Sequence, residues 1–323
     1  MRVLDMHCDT FWEILEAHKR GEESCVRRNF LQIDLEKMRK GDYLLQNFAM
    51  FVAVDRCDDA LDTVLRMIDL YHRELDKNAD VIGKVECFED IEKNRAQGKM
   101  SSMLTVEEGA VCRGELYVLR DLYRLGVRML TLTWNFENEL GWPNTVARLP
   151  GYDPKRRYGL KETGFEFVEE MERLGMIIDV SHLSDDGFYD VCSAAERPFV
   201  ASHSNARALC PHSRNLTDDM LKKLSDHGGV TGINFYSSFL RDGSDFGEIS
   251  DIVVHMKHIK NVAGIQCIGL GTDYDGFDSG LELGDCSHMP LLAREMSRNG
   301  FSDDEIDAVF SGNVLRVYKE VLS

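Results

Sequence analysis

The chain has 323 residues, of which 43% are hydrophobic and 29% charged, a composition typical of a folded globular protein and unlike a disordered or fibrous one. Its 56 acidic and 38 basic residues give a formal net charge of −18. Because an acidic surface repels phosphate backbones, this charge argues against a nucleic-acid partner. No apolar run reaches the ~20 residues of a membrane-spanning helix, and no signal peptide is visible. We therefore expect no membrane partner and a cytoplasmic location.

The nine cysteines are dispersed along the chain and include no C-x-x-C pair. An odd number of scattered cysteines argues against a disulfide framework and against a four-cysteine zinc site. We expect reduced thiols, as in a cytosolic protein.

Short apolar segments of β type alternate with longer amphipathic segments along the chain. We predict eight strands, at residues 3–6, 47–54, 103–106, 129–133, 176–180, 199–202, 230–234 and 268–271. The segments between them carry apolar residues at helical spacing, and Ser184, Thr217 and Ser302 are predicted helix N-caps. Strands that alternate with helices favour a closed parallel barrel over an open sheet. We therefore predict an α/β protein, a single (β/α)8 TIM barrel of the metallo-dependent hydrolase type over residues 1–323.

Two stretches, 13–29 and 135–160, lack a regular apolar pattern. The second follows the fourth predicted strand and is rich in Pro, Gly, Asn and charged residues. A loop of this length in a compact domain is usually a lid or a binding element. We expect it to lie over the mouth of the barrel, with Arg156 and Arg157 shaping one side of a pocket.

Side chains that can ligate metals follow five of the predicted strands. They are His7 and Asp9 after the first strand, Glu107 after the third, His182 after the fifth, His203 after the sixth and Asp273 after the eighth. The C-terminal ends of barrel strands meet at one mouth, which is where active sites form in this fold. Each motif is weak by itself, but their joint occurrence at five strand ends predicts a metal site.

Three histidines and three carboxylates exceed the three protein ligands of one catalytic zinc. We therefore predict two zinc ions that share a bridging carboxylate. Glu107 is the natural bridge, His7 and Asp9 can chelate one ion, and His182 and His203 can hold the other. The other histidines, His255 among them, are predicted to be surface residues or, like His212 and His288, not to be ligands.

Several segments, covering nearly the whole chain, resemble the membrane (renal) dipeptidases, the M19 metallopeptidases of the amidohydrolase superfamily. Among them are "DMHCDTFW", "LTVEEGA", "SHSNARALCPHSRN" and "GLGTDYDG". The resemblance implies the same five zinc ligands, with Glu107 as the bridge and Asp273 as the catalytic carboxylate. It also implies that Arg214 binds the terminal carboxylate of the substrate, with Tyr236 close by.

One position departs from the family pattern. Many members carry a His directly after "LTLT", thought to polarise the scissile carbonyl, but this chain has Trp134 followed by Asn135. An indole N–H donates one hydrogen bond and cannot become positively charged. Either Asn135 or Asn138 shares the task, or the substrate differs, so Trp134 and Asn135 join the predicted substrate-binding residues.

The resulting hypothesis is a zinc-dependent dipeptidase that cleaves the amide bond of small dipeptides. A metal-bridging hydroxide would attack the carbonyl, and Asp273 would accept its proton and pass it to the leaving amine. The resemblance leaves open a D-residue at the C-terminal position, another divalent metal and a homodimer. Two alternatives are another amidohydrolase-type hydrolase, acting on N-acyl amino acids, lactones or related substrates, and a barrel that binds without catalysis. Glu107 follows the third predicted strand, and neither the third nor the fourth predicted strand contains a lysine. This pattern argues against the amidohydrolases that use a carboxylated lysine as the metal bridge.

Overall fold

The computed structural model describes residues 2–149 and 151–322. Its strands are β1 (Val3–Asp5), β2 (Tyr43–Phe51), β3 (Ile82–Lys84), β4 (Met100–Glu107), β5 (Val127–Thr131), β6 (Ile177–Asp179), β7 (Val200–Ala201), β8 (Val230–Ile233), β9 (Phe246–Gly247), β10 (Ile268–Leu270) and β11 (Gly280–Leu281). Eight of them follow one another as β2-β1-β10-β8-β7-β6-β5-β4, and pairing of β2 with β4 closes the ring. The predicted (β/α)8 barrel is confirmed.

The barrel strands pair in parallel, which places their C-terminal ends at one mouth. Where the ring closes, β2 pairs with β4 in continuous register from Leu45↔Ser101 to Phe51↔Glu107. The predicted second strand, 47–54, was placed too late, because the observed β2 begins at Tyr43 and ends at Phe51. Nearly every residue of β2 is buried. The strand therefore lacks the alternation of apolar and polar residues that could have marked its ends.

The three remaining strands lie outside the barrel and were not predicted. β3 pairs with the beginning of β4, and β9 pairs with β11 in a separate two-stranded sheet. These strands have only two or three residues each, which is too short for a sequence pattern to show.

The helices are α1 (Thr10–Lys19), α2 (Leu35–Lys40), α3 (Ala60–Lys77), α4 (Phe88–Ala96), α5 (Leu116–Arg124), α6 (Glu162–Leu174), α7 (Asp185–Ala194), α8 (Asp218–Asp226), α9 (Ser237–Leu240), α10 (Ile249–Ala263), α11 (Met289–Arg298), α12 (Asp303–Asp307) and α13 (Asn313–Val321). The predicted N-caps Ser184, Thr217 and Ser302 are confirmed, because each side chain accepts a hydrogen bond from a backbone N–H three residues later. None of the described helices is both long and apolar enough to span a bilayer.

Helix α1 corrects the prediction of an irregular stretch at 13–29. It begins directly after Asp9 and buries Phe11 and Ile14. The ring of Phe11 lies 5.2 Å from that of Phe48 on β2 and 5.3 Å from that of Tyr71 on α3. This packing fixes the helix against the barrel, although its polar outer face obscured the helical pattern.

Helix α13 packs at the opposite end of the barrel from the strand C-termini. Its Val314 and Tyr318 belong to one buried apolar cluster with Ile177, Val200 and Val230, which begin β6, β7 and β8. The core therefore fills this end of the barrel, and the polar strand ends are left at the other.

Candidate metal centre and substrate cavity

Glu107, the last residue of β4, lies at the centre of a buried cluster of histidines. Its Oε2 is 3.2 Å from Nε2 of His7, and its Oε1 is 3.0 Å from Nε2 of His182 and 3.6 Å from Nε2 of His203. All four side chains are buried. Glu107 thus presents one carboxylate oxygen to His7 and the other to the pair of histidines that follow β6 and β7.

The two predicted aspartates complete the cluster. Nε2 of His7 lies 3.5 Å from Oδ2 of Asp9 and 3.8 Å from Oδ1 of Asp273. Three groups of residues have ligand atoms within 4.8 Å of one another: His7, Asp9 and Glu107; Glu107, His182 and His203; and His7, His203 and Asp273. The first two groups share Glu107, which is the arrangement that two ions with one bridging carboxylate require.

Unpartnered polar atoms show that these residues suit a divalent cation. Both ring nitrogens of His7 and Oδ1 of Asp9 are buried without a hydrogen-bond partner among the described residues, and a buried unsatisfied group costs about 1–3 kcal/mol. Nε2 of His182 and Nε2 of His203 are only 3.1 Å apart. Imidazole nitrogens and carboxylate oxygens are the donors that zinc accepts, so a cation would satisfy atoms that the protein leaves unpaired.

The protonation states of His182 and Glu107 also suit metal binding. Burial, with the nearby Arg214 guanidinium, lowers the pKa of His182 to about 3, so the imidazole is in the neutral form that binds metals. Burial by itself would raise the pKa of Glu107, but the three histidines around it hold that pKa well below its usual range. The cluster therefore contains an ionised carboxylate and a neutral ligand imidazole.

Hydrogen bonds from neighbouring strands orient the histidines. Nδ1 of His203 lies 2.7 Å from Oγ of Ser202, which donates a hydrogen bond of 2.6 Å to Oδ2 of Asp179 at the end of β6. Oδ1 of Asn135 lies 3.0 Å from Nδ1 of His182. Such outer contacts fix the ring orientation of ligand histidines. Asp179 was missed from the sequence, although a carboxylate directly after the apolar residues Ile177 and Ile178 was a signal that could have been used.

The backbone is strained where the site residues leave their strands. His182 has φ 67°, Asp273 has φ 62° and Glu108 has φ 115°. Left-handed conformations of residues other than glycine cost about 1–3 kcal/mol and persist where the surroundings enforce them. Here they aim His182 and Asp273 into the barrel mouth. Asn234, also missed from the sequence, donates a hydrogen bond of 2.8 Å to Oδ2 of Asp273.

A cavity of about 360 Å³ opens above the cluster, and Asp9, Glu107, His182 and Asp273 line its floor. Aromatic side chains form much of its sides: Trp12, Phe51, Trp134, Tyr236, Phe239 and Phe277. This volume lies in the range of small-molecule sites. The predicted substrate-binding residues Trp134, Asn135 and Tyr236 all line it.

The sequence model of the membrane dipeptidases, peptidase family M19, matches residues 1–323. The chain belongs to this family. It is 35% identical to an uncharacterized dipeptidase of Schizosaccharomyces pombe over 99% of this chain and 80% of the relative. It is 33% identical to a dipeptidase of Aspergillus oryzae over 90% of this chain and 70% of the relative. The M19 chain is thus a metal-dependent hydrolase of peptide bonds.

Two solved structures share its fold. A dipeptidase of family M19 superposes with a TM-score of 0.91 and 25% identity, covering 100% of this chain and 99% of the other. A metallopeptidase from Rhodobacter sphaeroides superposes with a TM-score of 0.90 and 24% identity, covering 99% of both chains.

Arg214 of this M19 chain is buried next to Phe239, a residue that lines the cavity, and is not itself part of the lining. Its guanidinium donates hydrogen bonds to Oγ of Ser204 (3.1 Å) and to the backbone oxygen of His203 (3.0 Å), and it lies 5.5 Å from the ring centre of Phe239. Its Nε has no partner, and no ion pair of Arg214 occurs among the described residues. Among the described residues, the hydrogen bonds of the buried Arg214 guanidinium therefore go to neutral oxygen atoms.

Asn135 and Asn138, which follow Trp134, differ in how many of their side-chain hydrogen-bonding groups are already occupied. Nδ2 of Asn138 donates to Oε1 of Glu108 (2.6 Å) and to the backbone oxygen of Leu132 (2.9 Å), and its Oδ1 accepts two backbone N–H bonds. Asn138 is thus fully engaged in fixing the loop. Asn135 lines the cavity; its Oδ1 lies 3.0 Å from Nδ1 of His182, and no hydrogen bond of its Nδ2 occurs among the described residues.

The 135–160 loop does not cover the mouth as expected. Of its described residues only Asn135 lines the cavity, while Arg157 pairs with Asp190 on α7 at 2.6 Å. Arg156 lies over the rings of Trp142 and Tyr158. Arg157 therefore ties the loop to α7, whereas the aromatic partners of Arg156 belong to the loop itself.

His255 was wrongly assigned to the surface. It is 1% exposed; its Nδ1 accepts a hydrogen bond from the backbone N–H of Ala206 (3.1 Å), and its Nε2 lies 2.8 Å from the oxygen of Leu240. These contacts tie α10 to the loops after β7 and β8.

Proposed function

We propose that this M19 chain cleaves dipeptides with two zinc ions. His7, Asp9 and Glu107 would hold one ion, and Glu107, His182 and His203 the other. The observation that carries the proposal is the position of Glu107, whose two oxygens face the two ligand groups. Bound there, the ions would lower the pKa of a water molecule and draw electrons from the scissile carbonyl.

Asp273 is the proposed proton carrier. It lines the floor of the cavity, and the Asn234 amide holds its Oδ2 at 2.8 Å. A carboxylate fixed in this way can accept a proton from the attacking water and donate it to the leaving amine. To transfer this proton, one group must lie within reach of both the attacking water oxygen and the leaving amine nitrogen. Asp273 lies on the same floor of the cavity as Glu107.

Arg214 is the proposed anchor of the C-terminal carboxylate of the substrate. A buried cation without a direct ion pair is costly, and a substrate carboxylate would supply one through short charge-assisted hydrogen bonds. Asn135 is proposed to offer its Nδ2 to the scissile carbonyl, since Asn138 is fully engaged.

We also propose that a D-residue is accepted at the C-terminal position. The metallopeptidase from Rhodobacter sphaeroides, which has the same fold, is liganded with a phosphinate mimic of the dipeptide L-Ala-D-Ala, which supports this proposal. The homodimer and the cytoplasmic location stay predictions from the sequence.

The test is to strip the protein of metal, reload it with zinc, count the ions per chain and assay L-Ala-L-Ala and L-Ala-D-Ala. Two ions per chain and zinc-dependent release of alanine would support the proposal. His182→Asn should lose one ion and activity, whereas His258→Asn, at a histidine outside the cavity, should change neither. Two bound ions without cleavage would favour another amidohydrolase reaction, on lactones or N-acyl amino acids. A chain that binds no zinc would be a barrel without metal catalysis.

A further inference from the structure

Three side chains form a continuous aromatic surface on one side of the cavity. The ring of Phe51 lies 5.5 Å from that of Trp12 and 4.9 Å from that of Trp134, both edge to face. The ring of Trp134 lies 6.2 Å from that of His182, so this surface reaches the metal-ligand cluster. We call Trp12, Phe51 and Trp134 the tryptophan wall; Trp12 lies on α1, Phe51 ends β2 and Trp134 follows β5.

A second aromatic surface comes from the segments that follow β8 and β10. The ring of Tyr236 stacks on that of Phe277 at 5.4 Å and meets that of Phe239 at 4.8 Å. The Arg214 guanidinium lies 5.5 Å from the ring of Phe239. The proposed carboxylate anchor is therefore on the side of the cavity formed by Tyr236 and Phe239.

This placement orients a dipeptide in the cavity. If its carboxylate meets Arg214 and its amide bond lies over Glu107, its N-terminal residue extends toward the tryptophan wall. We propose that the tryptophan wall is the subsite for an apolar side chain on the N-terminal residue, and that Trp134 determines this preference. The inference rests on the proposed dipeptidase function and adds its substrate class.

The chemistry of the wall supports an apolar occupant. Three aromatic side chains offer a large apolar area against which an aliphatic or aromatic side chain can be buried, and this burial stabilises a complex. Glu13 and Arg56 also line the cavity. Arg56 is exposed and Glu13 is half-buried, so solvent screens their attraction for a charged side chain.

The experiment compares two dipeptide series on the zinc-loaded enzyme. In one, Gly, Ala, Leu, Phe, Glu or Lys precedes a C-terminal Ala; in the other, the same residues follow an N-terminal Ala. We expect the highest kcat/KM for Leu-Ala and Phe-Ala. Trp134→Ala should lower these two values about 10- to 50-fold, while Gly-Ala and Ala-Leu change less than about threefold.

Two further variants test whether the effect comes from the aromatic surface and not from misfolding of Trp134→Ala. Phe51→Ala should selectively lower kcat/KM for Leu-Ala and Phe-Ala. It provides a second test if Trp134→Ala does not fold. Trp134→Phe should have a smaller effect in the same direction. The matched control is Trp142→Phe, because Trp142 contacts Tyr158 and Arg156 outside the cavity and should leave every substrate unchanged. Zinc content is measured for each variant.

An equal loss on all substrates would overturn the inference, since Trp134 would then act on the reaction and not on the side chain. A preference for Glu-Ala or Lys-Ala would also overturn it, because Arg56 or Glu13 would then define the subsite. A wild-type enzyme that binds zinc but cleaves no dipeptide would instead contradict the proposed function itself.

Discussion

Oδ1 of Asn135 lies 3.0 Å from Nδ1 of His182, while Nε2 of the same ring lies 3.0 Å from Oε1 of Glu107. An amide oxygen only accepts hydrogen bonds, so Nδ1 carries the proton and Nε2 presents its lone pair to the metal cluster. The residue that follows the unusual Trp134 thus fixes the tautomer of a proposed metal ligand.

Replacing Asn135 with Leu should weaken zinc binding. The side chain keeps its size but loses the acceptor, and losses of ligand-orienting contacts typically cost about 10- to 100-fold in affinity. Competition with a chelator measures this without an activity assay. Asn135→Asp keeps an acceptor and should bind zinc almost as well as the wild type; equal affinity in all three proteins would refute the role.

Asp273→Asn should remove the proton carrier and leave the fold intact. The amide is nearly isosteric and cannot take up a proton, so kcat should fall about 10²- to 10⁴-fold. Steady-state kinetics on L-Ala-L-Ala with parallel zinc counting measures this. If kcat stays within a few-fold of the wild type with zinc bound, another group carries the proton.

Arg214→Lys should impair recognition of the substrate carboxylate. The guanidinium geometry is lost while the charge remains, and we expect kcat/KM to fall about 10- to 100-fold, the equivalent of one strong charge-assisted hydrogen bond. The control is a dipeptide C-terminal amide, which has no carboxylate. Its slow cleavage should be equal in wild type and variant, and an equal loss on both substrates would show that Arg214 is only structural.

Gly276→Ala should disturb the floor of the cavity. A Cβ at this position would overlap Oδ2 of Asp9 and lie 2.7 Å from Oδ1 of Asp273, so both carboxylates would have to move. We expect weaker zinc binding and lower kcat, with a far-ultraviolet circular dichroism spectrum like that of the wild type. Gly312→Ala is the matched control, because its Cβ would meet nothing closer than 3.5 Å. Wild-type zinc affinity in the Gly276 variant would contradict the expectation.

Glu170 should stabilise the fold in a pH-dependent way. Arg173 and Arg120 bind its carboxylate at 2.6 Å and 3.0 Å, and these contacts lower its pKa from 4.5 to about 2. The stabilisation is complete above pH 4.5 and is lost as the pH falls toward 2.

Glu170→Gln should therefore lower the free energy of unfolding at pH 7 by about 1 kcal/mol, a value reduced for the solvent exposure of Arg173. The difference from wild type should shrink at pH 3. Urea unfolding at both pH values measures it, with Glu169→Gln on the exposed side of the same helix as the control. A difference independent of pH would show that charge is not the cause.

The sequence by itself determined the barrel and the chemical content of its mouth. Alternation of apolar strands with helices requires parallel strands, and parallel strands bring their C-terminal ends together. His7, Glu107 and His203 could therefore be expected to meet although nearly 200 residues separate the first from the last.

Only the tertiary structure decided which side chains line the cavity at that mouth and which contacts orient the candidate ligands. Contacts such as Phe51 with Trp134, or Asp179 with Ser202, join residues from different strands and loops, and no local pattern encodes which loop side chains will touch. For the same reason His255 was placed on the surface from the sequence but is buried. Loop conformation depends on packing against distant parts of the chain, which is why these contacts emerge only when the whole barrel has formed.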